Sequence, residues 1–174
     1  CSCPDDMVLV EHAFCVDRYE ASRPDATAAS IGADTSYATS RPGVMPWRNV
    51  SLQQAADACT AAGKRLCTPA EWEQACRGPD QTTYSYGDTY VVETCNGIDV
   101  FWPNIRIVPT GSFPDCTNEY GVLDINGNIW ERVQGGAGRG GAYNCSDSAA
   151  LHRCGYVADW GTDAIPNFGF RCCW

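Results

Sequence analysis

Residues 120–131 read YGVLDINGNIWE and combine a tight turn with a large aromatic residue and two carboxylates. The Asn-Gly pair at 126–127 favours a turn, because both residue types tolerate a positive φ. Asp124 and Glu131, with carbonyl oxygens exposed by this turn, are oxygen ligands of the kind that calcium prefers. Two interpretations follow: a calcium loop, or a structural turn with Trp130 in the core and both acids in solvent.

Two amphipathic helices precede this stretch, and each carries its own start signal. The first has Ser51 as N-cap with Gln54 as capping-box partner, and Gly63 ends it. The second begins after Thr68, which Glu71 completes as a capping box. The expected buried stripes are Leu52, Ala55, Ala56 and Cys59 in the first helix, and Trp72, Ala75 and Cys76 in the second.

Short apolar runs at 7–10, 13–16 and 168–172 predict strands that pair and bring the two ends of the chain together. Between them, residues 78–142 are rich in turn signals and predict loops. At 174 residues the chain has the length of one domain. We therefore expect a single α+β domain over residues 1–174 with little regular secondary structure.

Twelve cysteines and a formal net charge of −9 are the main features of the composition. The negative charge argues against nucleic acid as a partner, because it repels a phosphate backbone. No apolar run reaches the 18 or so residues that a transmembrane helix needs. The cysteine content predicts disulfides and a secreted, extracellular or cell-surface protein, whose signal sequence has been removed or whose Cys1 carries a lipid.

Eight blocks of sequence, in their order along the chain, resemble the formylglycine-generating enzyme, or sulfatase-modifying factor, family. They are CVDRYE (15–20), VS (50–51), AAGKRL with TPAEWE (61–73), YG (86–87), VPTGSF (108–113), YGVLDINGNIWE (120–131), RGGA (139–142) and GFR (169–171). The resemblance implies a C-type-lectin-like fold, in which two helices flank a small twisted sheet and the termini are adjacent.

The enzymes of this family oxidise a substrate cysteine to formylglycine with a copper(I) ion held by two cysteines. Two thiolates suit this soft ion. The resemblance places the first at Cys145, but the second falls near Ala149 or Ala150, and no further cysteine follows before Cys154. The oxidase site is therefore expected to be incomplete, with copper required only if the protein is an enzyme.

The resemblance also implies a calcium site. Its ligands would be the side chains of Asp124 and Glu131 and the carbonyl oxygens of Gly127 and Ile129. A second calcium site of the family would involve Asn96. We leave that site unassigned, because the loop after Asn96 differs in length from the family's loop. Iron is not expected, since two isolated histidines do not form a facial triad.

Three disulfides are predicted, two of them from the resemblance. The family pairs Cys59 with Cys172 and Cys76 with Cys154, whereas Cys95 with Cys116 is inferred from their shared loop region. Cys145 is expected to be half of a bridge rather than a reactive thiol, because Arg139 and Arg153 are the only cations near it in the sequence.

Residues 134–166 form a loop-rich segment of the kind that carries variable contacts. Four tryptophans in loops or at the chain end are candidates for stacking on a sugar or a partner chain. These are Trp47, Trp102, Trp160 and Trp174.

Three functions remain open from the sequence. The favoured one is a non-catalytic extracellular module that binds a protein or glycan ligand, or copies of itself in a structural assembly. The second is a copper-dependent oxidase acting on a cysteine of a sulfatase-type substrate, with Cys145 as one thiolate and Cys154 as an unexpected partner. The third is a diversified ligand-display protein.

Overall fold

The computed structural model describes residues 2–174, so the lipid considered for Cys1 lies outside the described residues. Three helices are present: α1 (Leu52–Ala61), α2 (Pro69–Arg77) and α3 (Ser148–Leu151). The strands are β1 (Met7–Val10), β2 (Phe14–Asp17), β3 (Ala21–Ser22), β4 (Thr39–Ser40), β5 (Arg65–Leu66), β6 (Trp130–Arg132), β7 (Gly138–Arg139), β8 (Phe168–Phe170) and β9 (Cys172–Cys173). None of these helices has the length and apolar character needed to span a bilayer.

The two predicted helices, α1 and α2, begin directly after their predicted N-caps, Ser51 and Thr68. The Ser51 hydroxyl accepts from the Gln54 N–H at 3.2 Å, while the Gln54 side chain accepts from the Ser51 N–H at 2.9 Å. Thr68 and Glu71 form the same reciprocal pair at the start of α2. Each capped end contributes about 1 kcal/mol by satisfying free N–H groups. Of the predicted stripe of α1, Ala55 and Cys59 are buried and Leu52 and Ala56 are half-buried against the same core, while Ala58 is buried without having been predicted.

The strands form three small sheets. The largest has the order β1-β2-β9-β5, so the predicted pairing of the two ends of the chain is confirmed by the contact of Val16 with Cys173. The second consists of β3 and β4, and the third has the order β7-β6-β8. The run at 168–172, predicted as one strand, is divided between two sheets: β8 joins the third and β9 the first. Arg171 lies at the junction.

Five disulfides join cysteines within residues 2–174. They join Cys3 to Cys15, Cys59 to Cys172, Cys67 to Cys173, Cys76 to Cys154, and Cys95 to Cys116. Three of the pairs are those proposed from the sequence. A disulfide typically adds about 2–4 kcal/mol by restricting the unfolded chain, which compensates for the small amount of regular structure.

Candidate ligand-binding site

Residues 134–166 place a group of exposed apolar side chains on one surface. Trp160 is 58% exposed, Val157 51% and Tyr156 36%. Trp160 and Tyr156 each pack against the buried ring of Trp130, with ring centres 6.0 and 5.9 Å away. Phe168 completes the group, 5.7 Å from Trp160. We call the four aromatic residues Trp130, Tyr156, Trp160 and Phe168 the aromatic platform.

The two buried rings of the aromatic platform, those of Trp130 and Phe168, are held rigidly because they come from neighbouring strands. Trp130 of β6 lies directly opposite Phe168 of β8 in the parallel register, and their rings stack at 5.9 Å. The indole Nε1 of Trp130 is buried and has no hydrogen-bond partner. A buried indole N–H usually finds an acceptor. The buried part of the aromatic platform therefore combines two fixed apolar ring faces with one indole N–H that donates no hydrogen bond.

Arg132 holds the loop that carries Trp160. Its guanidinium is fully buried and donates to four backbone carbonyls rather than to a carboxylate. Two of these acceptors, Gly161 and Asp163, belong to the loop, and the others are Val50 and Gly136. The planar guanidinium suits this arrangement, since it presents five N–H donors in a fixed geometry. One side chain thus ties the exposed loop to β6.

Cys145 is the one free cysteine among residues 2–174, so the expectation that it forms a bridge is wrong. It is buried, and its Sγ accepts a hydrogen bond from the Ala142 N–H at 3.1 Å. Burial raises the pKa of the Cys145 thiol to about 11. At neutral pH only about one thiol in ten thousand is then ionised. Cys145 adjoins the aromatic platform, in one cluster with Trp130 and Phe168.

The second thiolate required for copper is not supplied by Cys154. That residue is bonded to Cys76, and this disulfide leaves it no thiolate to offer. Ala149 and Ala150, the positions indicated by the resemblance, lie within α3. Cys145 therefore has no second cysteine thiol beside it among the described residues.

The predicted calcium residues lie around a buried charge cluster. Asp124 and Gly127 both have positive φ, 57° and 77°. Gly111 N–H donates to the Asp124 carboxylate at 2.6 Å. Glu131 is fully buried: Arg171 donates to both of its oxygens, and the Trp72 indole N–H donates to Oε2 at 2.6 Å. The acids are therefore in the interior, and the alternative that places them in solvent is wrong.

A third buried carboxyl group adjoins Asp124 and Glu131 in this cluster. Glu20 is a third buried carboxylate, and its Oε1 has no hydrogen-bond partner. Burial, with the negative charges of Asp124 and Glu131, raises the pKa of Glu20 well above its ordinary range. Burial also raises the pKa of Asp124 to about 6. Three carboxyl groups thus share one guanidinium, that of Arg171, and the raised pKa values of Glu20 and Asp124 reflect this shortage of positive charge.

No histidine is arranged as a metal ligand. Burial lowers the pKa of His152 to about 4, and its ring contacts the Ala142 carbonyl oxygen at 3.1 Å. His12 is exposed in the turn between β1 and β2. Within residues 2–174 no group of three or more His, Cys, Asp or Glu side chains is placed to hold a metal.

The four candidate tryptophans separate into two classes. Trp102, Trp160 and Trp174 are exposed, but Trp47 is buried against Phe170, so its candidacy is wrong. Tyr156, Phe168 and Arg132 were not predicted for the surface that they help to build. The three aromatic residues at positions 156, 160 and 168 were the available signal.

The sequence pattern of the family described as "Sulfatase-modifying factor enzyme 1-like domain" matches residues 11–174. Among curated proteins, the mouse "Formylglycine-generating enzyme" is 29% identical over 167 residues, covering 73% of this chain and 43% of that protein. The bovine "Inactive C-alpha-formylglycine-generating enzyme 2" is 30% identical over 152 residues, covering 73% of this chain and 49% of that protein. The chain spans less than half the length of either relative.

The fold is also that of solved structures with little sequence similarity. "Treponema denticola variable protein 1" superposes with a TM-score of 0.66 at 14% identity, covering 92% of this chain and 84% of that one. The α+β, C-type-lectin-like fold predicted from the sequence is thereby confirmed.

Proposed function

Because this chain belongs to the family of sulfatase-modifying factor enzyme 1-like domains, we propose that it is a binding module of the extracellular space that lacks oxidase chemistry. The observation that carries the proposal is the state of Cys145. It is buried, its pKa is raised to about 11, and no second thiol accompanies it among the described residues. The copper(I) centre of the family needs two soft thiolate ligands, and this site offers one buried thiol.

The name of the bovine relative supports the proposal, because it describes a family member without the activity. That protein is called inactive and is 30% identical over the matched region. Fold alone does not determine function, so the comparison supports the proposal only together with the state of Cys145.

The aromatic platform is the proposed contact surface. Trp160, Val157 and Tyr156 expose apolar area beside one another, and Arg132 holds their loop in place. Exposed aromatic residues on a fixed support are typical of interfaces, because they contribute contact area with little loss of side-chain entropy. The partner would be a protein or glycan ligand, or a second copy of this chain in an assembly.

The proposal also includes export of the protein and binding of a calcium ion. Five disulfides support an oxidising compartment, where such bonds persist. Calcium would be held by the Asp124 and Glu131 side chains and the carbonyl oxygens of Gly127 and Ile129. Its charge would offset the buried carboxylates and stiffen the loop that leads into β6.

The binding role is tested with printed arrays of glycans and of secreted proteins, probed with the native chain and three variants. We expect hits that Trp160→Ala and Tyr156→Ala weaken and that Trp102→Ala retains, since Trp102 is an exposed tryptophan outside the aromatic platform. Light scattering of the same samples detects self-association. No hit on either array with a strictly monomeric protein, or hits on the protein array that Trp160→Ala leaves intact, would overturn the proposal.

A further inference from the structure

Trp174 lines two cavities that include none of the four residues of the aromatic platform. One has a volume of about 510 Å³ and the other about 290 Å³, and the Trp174 side chain lines both. The ring is 53% exposed. Its backbone is fixed by a reciprocal pair of hydrogen bonds with Cys15, at 2.9 and 3.0 Å. Neither cavity includes a residue from 134–166, so this cleft and the aromatic platform share no side chain.

The larger cavity has polar groups on its walls and a second exposed aromatic ring at its rim. Lys64 lines it with a side chain only 8% exposed, and its ammonium group donates to Asp6 and to Asp17. Asp6 remains 36% exposed in its side chain, so it is open to a further donor. Tyr37, which is 43% exposed, also lines this cavity.

The charges on these walls argue against an ionic ligand. An anion gains little from Lys64, because two carboxylates already surround that single ammonium group. Arg41 is engaged as well, since one of its nitrogens donates to three backbone carbonyls. A cation would meet Lys64 and Arg41 on the same walls. The net charge of −9 further disfavours a polyanion.

The smaller cavity is mainly apolar: Leu9, Ala13, Phe14 and the disulfide-bonded Cys15 line it beside Trp174, with His12 as its one ionisable side chain. A ligand that contacts Trp174 and enters both cavities would meet polar groups in the larger one and mainly apolar groups in the smaller one. Neutral sugars have this chemistry, because each ring carries hydroxyls at its edge and an apolar C–H face. An aromatic side chain provides a flat apolar surface for such a face, and a carboxylate accepts hydrogen bonds from hydroxyls.

We propose that the cleft around Trp174 binds a neutral glycan. Trp174 packs against the sugar rings, Tyr37 contacts the part in the larger cavity, and Asp6 accepts hydrogen bonds from hydroxyls. Lys64 holds the Asp6 carboxylate in position. The larger cavity alone, at about 510 Å³, lies in the range of small-ligand sites.

The test is isothermal titration of the native chain with four neutral hexasaccharides: cellohexaose, maltohexaose, chitohexaose and mannohexaose. We expect at least one to bind, with quenching or a shift of tryptophan fluorescence. Trp174→Ala is expected to weaken that binding at least tenfold, while Trp102→Ala binds as the unaltered chain does. The unfolding temperature of each variant shows that it is folded, and Asp6→Asn and Tyr37→Ala test the larger cavity separately.

Three results would overturn the glycan site. They are no binding of any of the four sugars, binding that Trp174→Ala leaves unchanged, and binding that Trp160→Ala alone abolishes. The last result would assign the glycan to the aromatic platform. If Trp174→Ala does not weaken sugar binding, the proposal for the aromatic platform still stands, because Trp160→Ala and Tyr156→Ala test that surface.

Discussion

Arg171 and Glu131 form an ion pair that is closed off from solvent, with 2.7 Å between Nη2 and Oε1 and side-chain exposures of 0% and 1%. Arg171 also donates to the carbonyl oxygens of Asp17, Arg18 and Leu123. One side chain thus joins β2, the loop before β6, and β6 itself at the point where the last strands change sheets.

Replacement of Arg171 by Met is expected to destabilise the chain by about 3–5 kcal/mol, because it leaves buried carboxylates without a counter-charge. Urea unfolding at pH 7 measures the change. Arg65→Met is the matched control: Arg65 pairs with Glu71 but is 42% exposed in its side chain, and such pairs contribute about 0–1 kcal/mol. Equal losses in both variants would contradict the structural role of Arg171.

Replacement of Arg132 by Lys is expected to loosen the loop around residues 158–163. A lysine ammonium keeps the charge but cannot reach four carbonyls in the geometry of a guanidinium. Amide hydrogen exchange should increase in this loop before it increases elsewhere. Arg48→Lys serves as control, since Arg48 donates to the Pro166 carbonyl at the exposed surface. Unchanged exchange in Arg132→Lys would show that other contacts hold the loop.

Stability is expected to fall as pH rises from 4 to 6. Burial raises the pKa of Asp17 from 3.8 to about 6, with Lys64 opposing the shift. The native state therefore binds more protons than the unfolded state in this interval, so protonation favours folding and the contribution is lost as pH increases. Asp17 alone accounts for at most about 3 kcal/mol.

Denaturant unfolding at pH 4, 5, 6 and 7 checks this dependence. Asp17→Asn should flatten the curve, and Glu20 accounts for part of the remaining slope because its pKa is also raised. Asp6→Asn, which alters the more exposed partner of Lys64, should change the slope less. A stability that rises with pH over this interval would contradict the prediction.

Calcium is expected to raise the unfolding temperature of the native chain. At about 100 times its Kd the ion adds about 2.7 kcal/mol, which corresponds to roughly 5–10 °C for a chain of this size. Asp124→Asn should abolish the shift, whereas Asp115→Asn at an exposed position should preserve it. Equal unfolding temperatures in calcium and in chelator would contradict the proposed site.

The starts of α1 and α2 were predicted correctly because they depend on residues close together in the sequence. Ser51 and Thr68 mark their helices because a cap depends only on residues three positions away. The short helix α3 was missed, although Asp147 caps it, because four residues carry no periodic pattern. The division of residues 168–172 at Arg171 was also missed, since it depends on partners 40 or more positions away.

Burial was the main source of error at the candidate site. Trp47 and Cys145 occupy loop-like sequence, and only tertiary packing places them in the interior. Glu20 and Glu131 were missed as buried charges for the same reason, because an enclosed acid is stable only beside partners distant in sequence. The aromatic platform likewise depends on the pairing of β6 with β8, which brings Trp130 to Phe168.

Anaerobic titration of the native, unreduced chain with copper(I), against a chromophoric chelator, tests the central claim most directly. The mouse formylglycine-generating enzyme is the positive control, and Cys145→Ser shows whether any bound copper depends on this thiol. We predict no stoichiometric complex and, after exposure to air, no loss of thiol from a sulfatase-type peptide. A tight one-to-one copper(I) complex that Cys145→Ser abolishes, with oxygen-dependent conversion of the peptide cysteine, would contradict the account of a non-catalytic binding module.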